Sequence, residues 1–433
     1  VSSGDEGSLT LTVKVGVRAE PKAFRELMSL MYRYREALNH AIRVVVENKA
    51  LTLGKAHRLL YDILKENYGL PSKVAVDCYR EAIAIAKSWL NNPNKGRMPR
   101  AKTLRVWLTY KYSYRINGGY VELLGGFRLE IVGWDMRYDN YPNGDARLLF
   151  KDGKLVLEVS KHVPRPQKYP PRGVLAVDVN EKYIVVGNSL FEYRVETPIE
   201  KALHYKQLAE RLEKKYSSPR YNAWLRRRGI KKRISYYHAK ARRIVEDWVK
   251  KTSREIVALA KRHQYAVARE DLTGFVESLR KLPREHKVSL LILSYRKISE
   301  WIDWQCEKHG VPAIAVDPMN TSNRCPRCSS KMRGNGCRVF KCPRCGFEAD
   351  RDTVAVLNIE KRALTQMGGS LTTPTAPQRT DVNPNRCGEP MNPLKETLTP
   401  LGRGGGQNDA CVFIRFLLFL VFMSTLLQGG LYE

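Results

Sequence analysis

Apolar and polar positions change rhythm several times along this chain. Residues 9–17, LTLTVKVGV, alternate, which predicts a half-buried strand. Pro21 then opens a stretch in which Leu27, Leu30, Met31, Tyr34 and Leu38 recur at helical spacing, so a helix is expected to about residue 48. A second helix is predicted over 72–90, with Val74, Val76, Ala82, Ala84 and Leu90 as apolar positions, and NNPNKGRMPR breaks it. From 101 to 165 short apolar runs alternate with turns, and Asp152-Gly153 is a hairpin signal. This block predicts a small β-barrel that the first strand joins, with the helices inserted between. PRPQKYPPRG (164–173) reads as a Pro-rich linker.

Beyond it, VLAVDVNEKYIVVGNS predicts two apolar strands around a polar turn. Residues 200–262 read as helical and YAVARE (265–270) as a strand. An amphipathic helix follows over 285–308, with Val288, Leu291, Ile292, Tyr295, Ile298 and Ile302 on one face. VPAIAV (311–316) reads as another strand, and a last helix is expected over about 351–367. The tail, 368–433, is rich in Thr, Pro, Asn and Gly and predicts disorder. Its apolar end, CVFIRFLLFLVFMSTLL (411–427), has the length of a short membrane span, but Arg415 interrupts it. A membrane is therefore not an expected partner. The opening residues, VSSGDEGSLTLTVKV, carry no basic-then-apolar leader, although a first residue other than Met leaves the true start open.

Charge changes the picture from fold to partner. Among 433 residues, 75 Lys and Arg face 44 Asp and Glu, a formal charge of +31. Such an excess points to a polyanion. Residues 201–262 alone hold 20 of the basic residues against 5 acids. Arg226, Arg227, Arg228, Lys231, Lys232, Arg233, Arg242 and Arg243 are the candidate contacts to a nucleic-acid backbone. A solvated helical face is the plain alternative.

Four of nine cysteines fall into two CPRC knuckles, Cys325/Cys328 and Cys342/Cys345, separated by thirteen residues. Two CxxC pairs at this spacing supply four thiolates for a tetrahedral Zn²⁺, and with every position taken by protein the metal is structural. Cys337 reads as a spectator, and Cys78, Cys306, Cys387 and Cys411 show no pattern. Metal-site cysteine usage fits a reducing compartment, so a cytoplasmic location is expected. His238, His263 and His309 are isolated.

Three acids stand where rigid elements are predicted. Asp178 lies inside the apolar run VLAVDVN, Glu270 ends YAVARE, and Asp352 opens the last helix. Such carboxylates can converge on Mg²⁺ or Mn²⁺ for phosphodiester cleavage. Each also has an ordinary reading: a strand-end turn residue, a strand-end solvent acid, a helix cap. Asp271 and Asp350 are neighbours open to confusion with Glu270 and Asp352.

Taken in order, VLAVDVNEKYIVVGN, VAREDLTGF, VDPMNTSNRCPRCSS and FKCPRCGFEADRDTVAVLNIEKRAL resemble the OrfB/TnpB proteins of insertion sequences, relatives of the type V CRISPR effectors. The resemblance covers roughly residues 9–367. It implies a multidomain α+β chain with an RNase H-like (RuvC) α/β nuclease domain and an inserted zinc ribbon, preceded by the β-barrel with its inserted helices. The implied boundaries are 9–19 and 101–165 for a wedge-like barrel and 20–100 for a helical recognition insertion. The nuclease domain takes 170–320 and 347–367, and the ribbon 321–346. Asp178, Glu270 and Asp352 match the three catalytic acids, and Asn180 takes the D-x-N position. One departure is Val354, where the family commonly has Asn two residues after the third acid. The implied partners are a guide RNA from the element's end and target DNA, and the implied activity is RNA-guided DNA cleavage. The alternatives are a non-catalytic DNA- or RNA-binding regulator of transposition and a DNA-joining transposase.

Overall fold

The structure, a computed structural model, describes residues 7–93, 95–134, 136–280, 286–334 and 338–368. Cys337, the tail beyond 368 with its apolar stretch 411–427, and the side chains of Arg226 and Arg227 lie outside the described residues. The chain divides into two compact units. One holds the residues up to Leu175 with Ala202–Ala315, the other Ala176–Lys201 with the described residues from Val316 on.

The elements begin with β1 (Ser8–Arg18), α1 (Pro21–Glu47), α2 (Leu53–Glu66) and α3 (Ser72–Leu90). Six strands follow: β2 (Leu104–Leu108), β3 (Tyr114–Asn117), β4 (Tyr120–Leu123), β5 (Phe127–Val132), β6 (Asn143–Lys151) and β7 (Lys154–Pro164). Together with β1 they form a seven-stranded, near-barrel antiparallel sheet of order β2-β6-β7-β1-β5-β4-β3. Strand β1 sits between β7 and β5, burying every second residue from Leu9 to Val17. Asp152 and Gly153, both at positive φ (51° and 77°), close the tight β6–β7 turn that their sequence predicts.

Helix α1 buries Leu27, Leu30, Met31, Tyr34 and Leu38 as their spacing predicts. The pattern did not reveal α2, whose buried stripe is only Ala56, Leu60 and Leu64. On α3 the expected face is partly wrong. Ala84 is exposed, while Asp77 and Glu81, one turn apart, are buried. Asp77 accepts hydrogen bonds from Thr109 and Ser113 and pairs with Lys73, while Glu81 pairs with Arg105 and accepts from Tyr34. A face sealed by satisfied acids cannot be read from apolar spacing alone.

The second half runs β8 (Gly173–Val179), β9 (Tyr183–Gly187), β10 (Glu192–Glu196), α4 (Ile199–Lys215), α5 (Asn222–Arg227) and α6 (Ile230–His263). It continues with β11 (Tyr265–Glu270), α7 (Thr273–Arg280), α8 (His286–His309) and β12 (Ala313–Val316), and strands β8 to β12 form a sheet of order β10-β9-β8-β11-β12. On α8 the buried apolar residues are Leu290, Tyr295, Ile298 and Ile302, while the expected Val288, Leu291 and Ile292 are half-buried. The Pro-rich stretch before β8 is tied down: Tyr169 Oη donates to the carbonyls of Ala260 and Tyr265, and Arg165 and Lys168 both pair with Glu307. Three short strands, β13 (Arg333–Gly334), β14 (Val339–Lys341) and β15 (Glu348–Asp350), make a small antiparallel sheet, and α9 (Arg351–Gln366) closes the described chain.

Candidate active site and metal centre

The meander β8–β9–β10 sets one row of side chains. Asp178 lies opposite Val185, and Val185 lies opposite Arg194. Residues directly across a ladder share a face, and residues two apart on a strand do too, so Tyr183 joins that face. Gly187 makes the tight return into β10 possible, because a Cβ there would meet the Phe191 carbonyl at 2.3 Å. Asp178 is nearly buried, at 6% exposure, and its Oδ2 accepts from Asn180 Nδ2 at 2.8 Å.

Asp352 reaches the same face from α9. The helix is capped not by Asp352 but by Asp350, whose Oδ1 accepts from the Asp352 N–H at 2.9 Å. That leaves the Asp352 carboxylate for another use. It is 1% exposed. Its Oδ2 accepts from Tyr183 Oη at 2.9 Å and from Arg338, and Arg194 Nη2 stands 3.9 Å away. Its Oδ1 accepts no hydrogen bond among the described residues. Asp178 and Asp352 therefore lie on one side of the meander, tied to it through Tyr183 and Arg194.

Charge is tightly matched here. Burial and the hydrogen bond to Asp352 push the Tyr183 hydroxyl up to about 12, so it stays a donor. Burial opposes the charge on Arg194, but Asp350, Glu192 and Asp352 outweigh it and raise its pKa. Arg194 and Arg338 each also lie over the Tyr183 ring.

The four thiols form the metal centre. Among the described residues, Cys325, Cys328, Cys342 and Cys345 are the group of potential ligands whose atoms all lie within 4.8 Å of one another. The Sγ pairs Cys325–Cys345, Cys328–Cys342 and Cys328–Cys345 are 3.5, 3.4 and 3.6 Å apart. A tetrahedron with metal–sulfur bonds of about 2.3 Å has edges of roughly 3.8 Å, while a disulfide needs about 2.05 Å. The set fits Zn²⁺. Both knuckles turn alike: the Ser329 N–H donates to the Cys325 carbonyl and the Gly346 N–H to that of Cys342, with φ of 59° and 71°. Behind them Val354 packs with Cys325, Met332, Cys342, Phe347 and Leu357. The departure at Val354 thus fills the apolar base of the cysteine centre.

Helix α9 staples this segment. Asn358 Nδ2 donates to the carbonyls of Thr321 and Arg324, each at 2.7 Å, and Lys361 reaches the Pro326 carbonyl at 2.9 Å. The helix that carries Asp352 is thereby the helix that holds the first knuckle.

Glu270 ends β11 in the other compact unit and is half-buried. Its neighbour Asp271 caps α7, accepting from the N–H and hydroxyl of Thr273, which lower its pKa. Arg228, Lys231, Lys232, Arg233, Arg242 and Arg243 are exposed, and among the described residues none is paired with a carboxylate. Tyr183, Arg194 and Arg338 went unseen in the sequence, because nothing in their spacing links them to Asp352. Arg194 lies across Val185 from Asp178, one strand further on, a register that only the folded meander sets. Among the described residues no helix is long and apolar enough to cross a membrane.

Comparison with known proteins places the chain among relatives. Residues 295–359, which span the knuckles and much of α9, match the family model Cas12f1-like, TNB domain. A TnpB-like protein of Methanocaldococcus jannaschii is 26% identical over 236 residues, covering 52% of this chain and 81% of that protein. A second protein of that organism, which carries a transposase name, is 38% identical over 79 residues, 16% of this chain and 72% of its own length. Among solved structures, a cryo-EM Cas12f1–sgRNA–target DNA complex superposes with a TM-score of 0.54 at 14% identity, covering 82% of this chain and 99% of the Cas12f1 chain. The fold is mixed α/β with a near-barrel sheet and is similar to that of Cas12f1. The chain belongs to the TnpB/OrfB family, related to the type V effectors.

Proposed function

We propose that this protein is a transposon-associated, RNA-guided DNA endonuclease. In this reading residues 170–320 and 347–367 form a RuvC-like nuclease domain with the ribbon, 321–346, inserted. The barrel, 9–19 with 101–165, and the helical insertion, 20–100, hold guide RNA and target. The observation that carries the reading is the shared face of Asp178 and Asp352, with a sealed Asp352 whose Oδ1 accepts no hydrogen bond among the described residues. A three-strand meander followed by helix-linked strands beyond β8 also supports an RNase H-type sheet.

Asp178, Asp352 and, by family resemblance, Glu270 would hold Mg²⁺ or Mn²⁺. Hard carboxylate oxygens suit such ions, and Asp352 Oδ1 accepts no hydrogen bond among the described residues, with Arg351 Nε 3.7 Å away. Bound there, the metal would supply an activated water and charge stabilisation for phosphodiester cleavage. The chain's own residues do the rest. Asn180 orients the Asp178 carboxylate, and Tyr183 and Arg194 fix that of Asp352. The basic residues from Arg226 to Arg243 neutralise phosphates, and sequence is read by base pairing rather than by side chains.

The test is sequencing of the RNA that copurifies when the protein is expressed with its flanking DNA. One discrete species ending in sequence just outside the element supports the proposal. A heterogeneous smear, or no RNA, contradicts guidance and leaves a basic DNA-binding protein.

A further inference from the structure

From Lys214 to Val245 the chain has no acid and twelve Lys and Arg, yet it also carries Tyr216, Tyr221, Trp224, Tyr236 and Tyr237. Phosphate neutralisation needs charge alone and gives no reason to set large rings on the surface. Trp224 is 48% exposed and Tyr236 49%. The rings are matched to cations: Arg228 lies 4.7 Å over the Trp224 ring, and Lys240 lies 5.8 Å from Tyr236 and 4.2 Å from Tyr205. Tyr236, Tyr237 and Tyr205 continue as a chain of rings with centroids 5.7 and 6.2 Å apart. On α6, Lys232, Tyr236, Lys240 and Arg243 fall on one stripe. At about 1.5 Å per residue the stripe is roughly 16 Å long, enough for a few nucleotides.

We propose that the α5–α6 surface binds an unpaired nucleic-acid strand, with bases stacked on Trp224 and Tyr236 and phosphates on Arg228, Lys232 and Arg243. A duplex offers side chains only base edges and backbone, so exposed rings flanked by cations suit a strand whose base faces are open. Trp224 is exposed with Arg228 over its ring, so a base can stack beside a cation. This inference rests on the nucleic-acid reading given above and specifies the strand that the basic segment holds.

The experiment is fluorescence anisotropy with the full chain, without added divalent metal. Two labelled strands of about 20 nucleotides are compared, oligo-dT and an abasic strand of the same length. The wild type is expected to bind oligo-dT about tenfold or more tighter than the abasic strand. Trp224→Ala and Tyr236→Ala should each erase much of that preference, Trp224→Phe should keep most of it, and affinity for the abasic strand should hold throughout. That constancy also reports an intact fold. Equal wild-type affinity for both strands overturns the stacking surface while leaving nucleic-acid binding in place. Binding of neither strand overturns both this inference and the reading beneath it.

Discussion

Arg338 and Asp352 form an ion pair of unequal partners: the arginine side chain is 51% exposed and the aspartate 1%. The arginine comes from the cysteine segment and the aspartate from the helix that staples that segment. A buried carboxylate needs counter-charge, and here Arg338, Arg194 and Arg351 supply it while Tyr183 donates a hydrogen bond.

Arg338→Ala should therefore destabilise the chain without unfolding it. Three partners of Asp352 remain, Arg194, Arg351 and Tyr183, so the loss is about 1–2 kcal/mol. Chemical denaturation measures it, and Arg338→Lys should recover part. No loss at all would mean that the pair is screened like an ordinary surface bridge.

Two changes in the knuckles should move in opposite directions. Cys342→Ser leaves three thiols in the cluster and should lower bound zinc well below one per chain, read by metal analysis. Ser329 holds a φ of 59° at the place where the other knuckle has Gly346. Ser329→Gly should relieve that conformation and stabilise the ribbon by about 1 kcal/mol. Faster zinc loss to a chelator in Ser329→Gly would contradict the equivalence of the two turns.

Glu360 should make stability fall with pH. It is 5% exposed, Ser189 donates to its Oε1, and burial pushes its pKa from 4.5 to about 7. Between those values the folded chain holds the extra proton. Stability is therefore lost as pH rises from about 4.5 through about 7 and levels off above, by about 3 kcal/mol in all. Glu360→Gln should flatten that slope in denaturation measured at pH 5 and pH 8.

What could be read in the sequence followed local rules. Strand alternation placed β1, the Asp152-Gly153 pair placed a hairpin, and the two CPRC runs placed four thiols that the structure gathers. What could not be read depended on register. Whether Asp350 or Asp352 capped α9 was undecidable from ADRDT, because one hydrogen bond settles it. Two counter-charges of Asp352 come from positions 158 and 14 residues earlier, and only the meander and the cysteine segment bring Arg194 and Arg338 to it. The buried acids of α3 were hidden for the same reason, since Thr109, Ser113 and Arg105 satisfy them from distant positions.

We propose above that Asp178, Glu270 and Asp352 hold the metal that supports DNA cleavage. The direct measurement is Mg²⁺-dependent cleavage of a duplex matched to the copurified RNA, comparing wild type with Asp178→Ala, Glu270→Ala and Asp352→Ala. Each substitution should abolish cleavage while affinity for the nucleic acids stays close to wild type. Cleavage at the wild-type rate by any one of the three would contradict its place in the site.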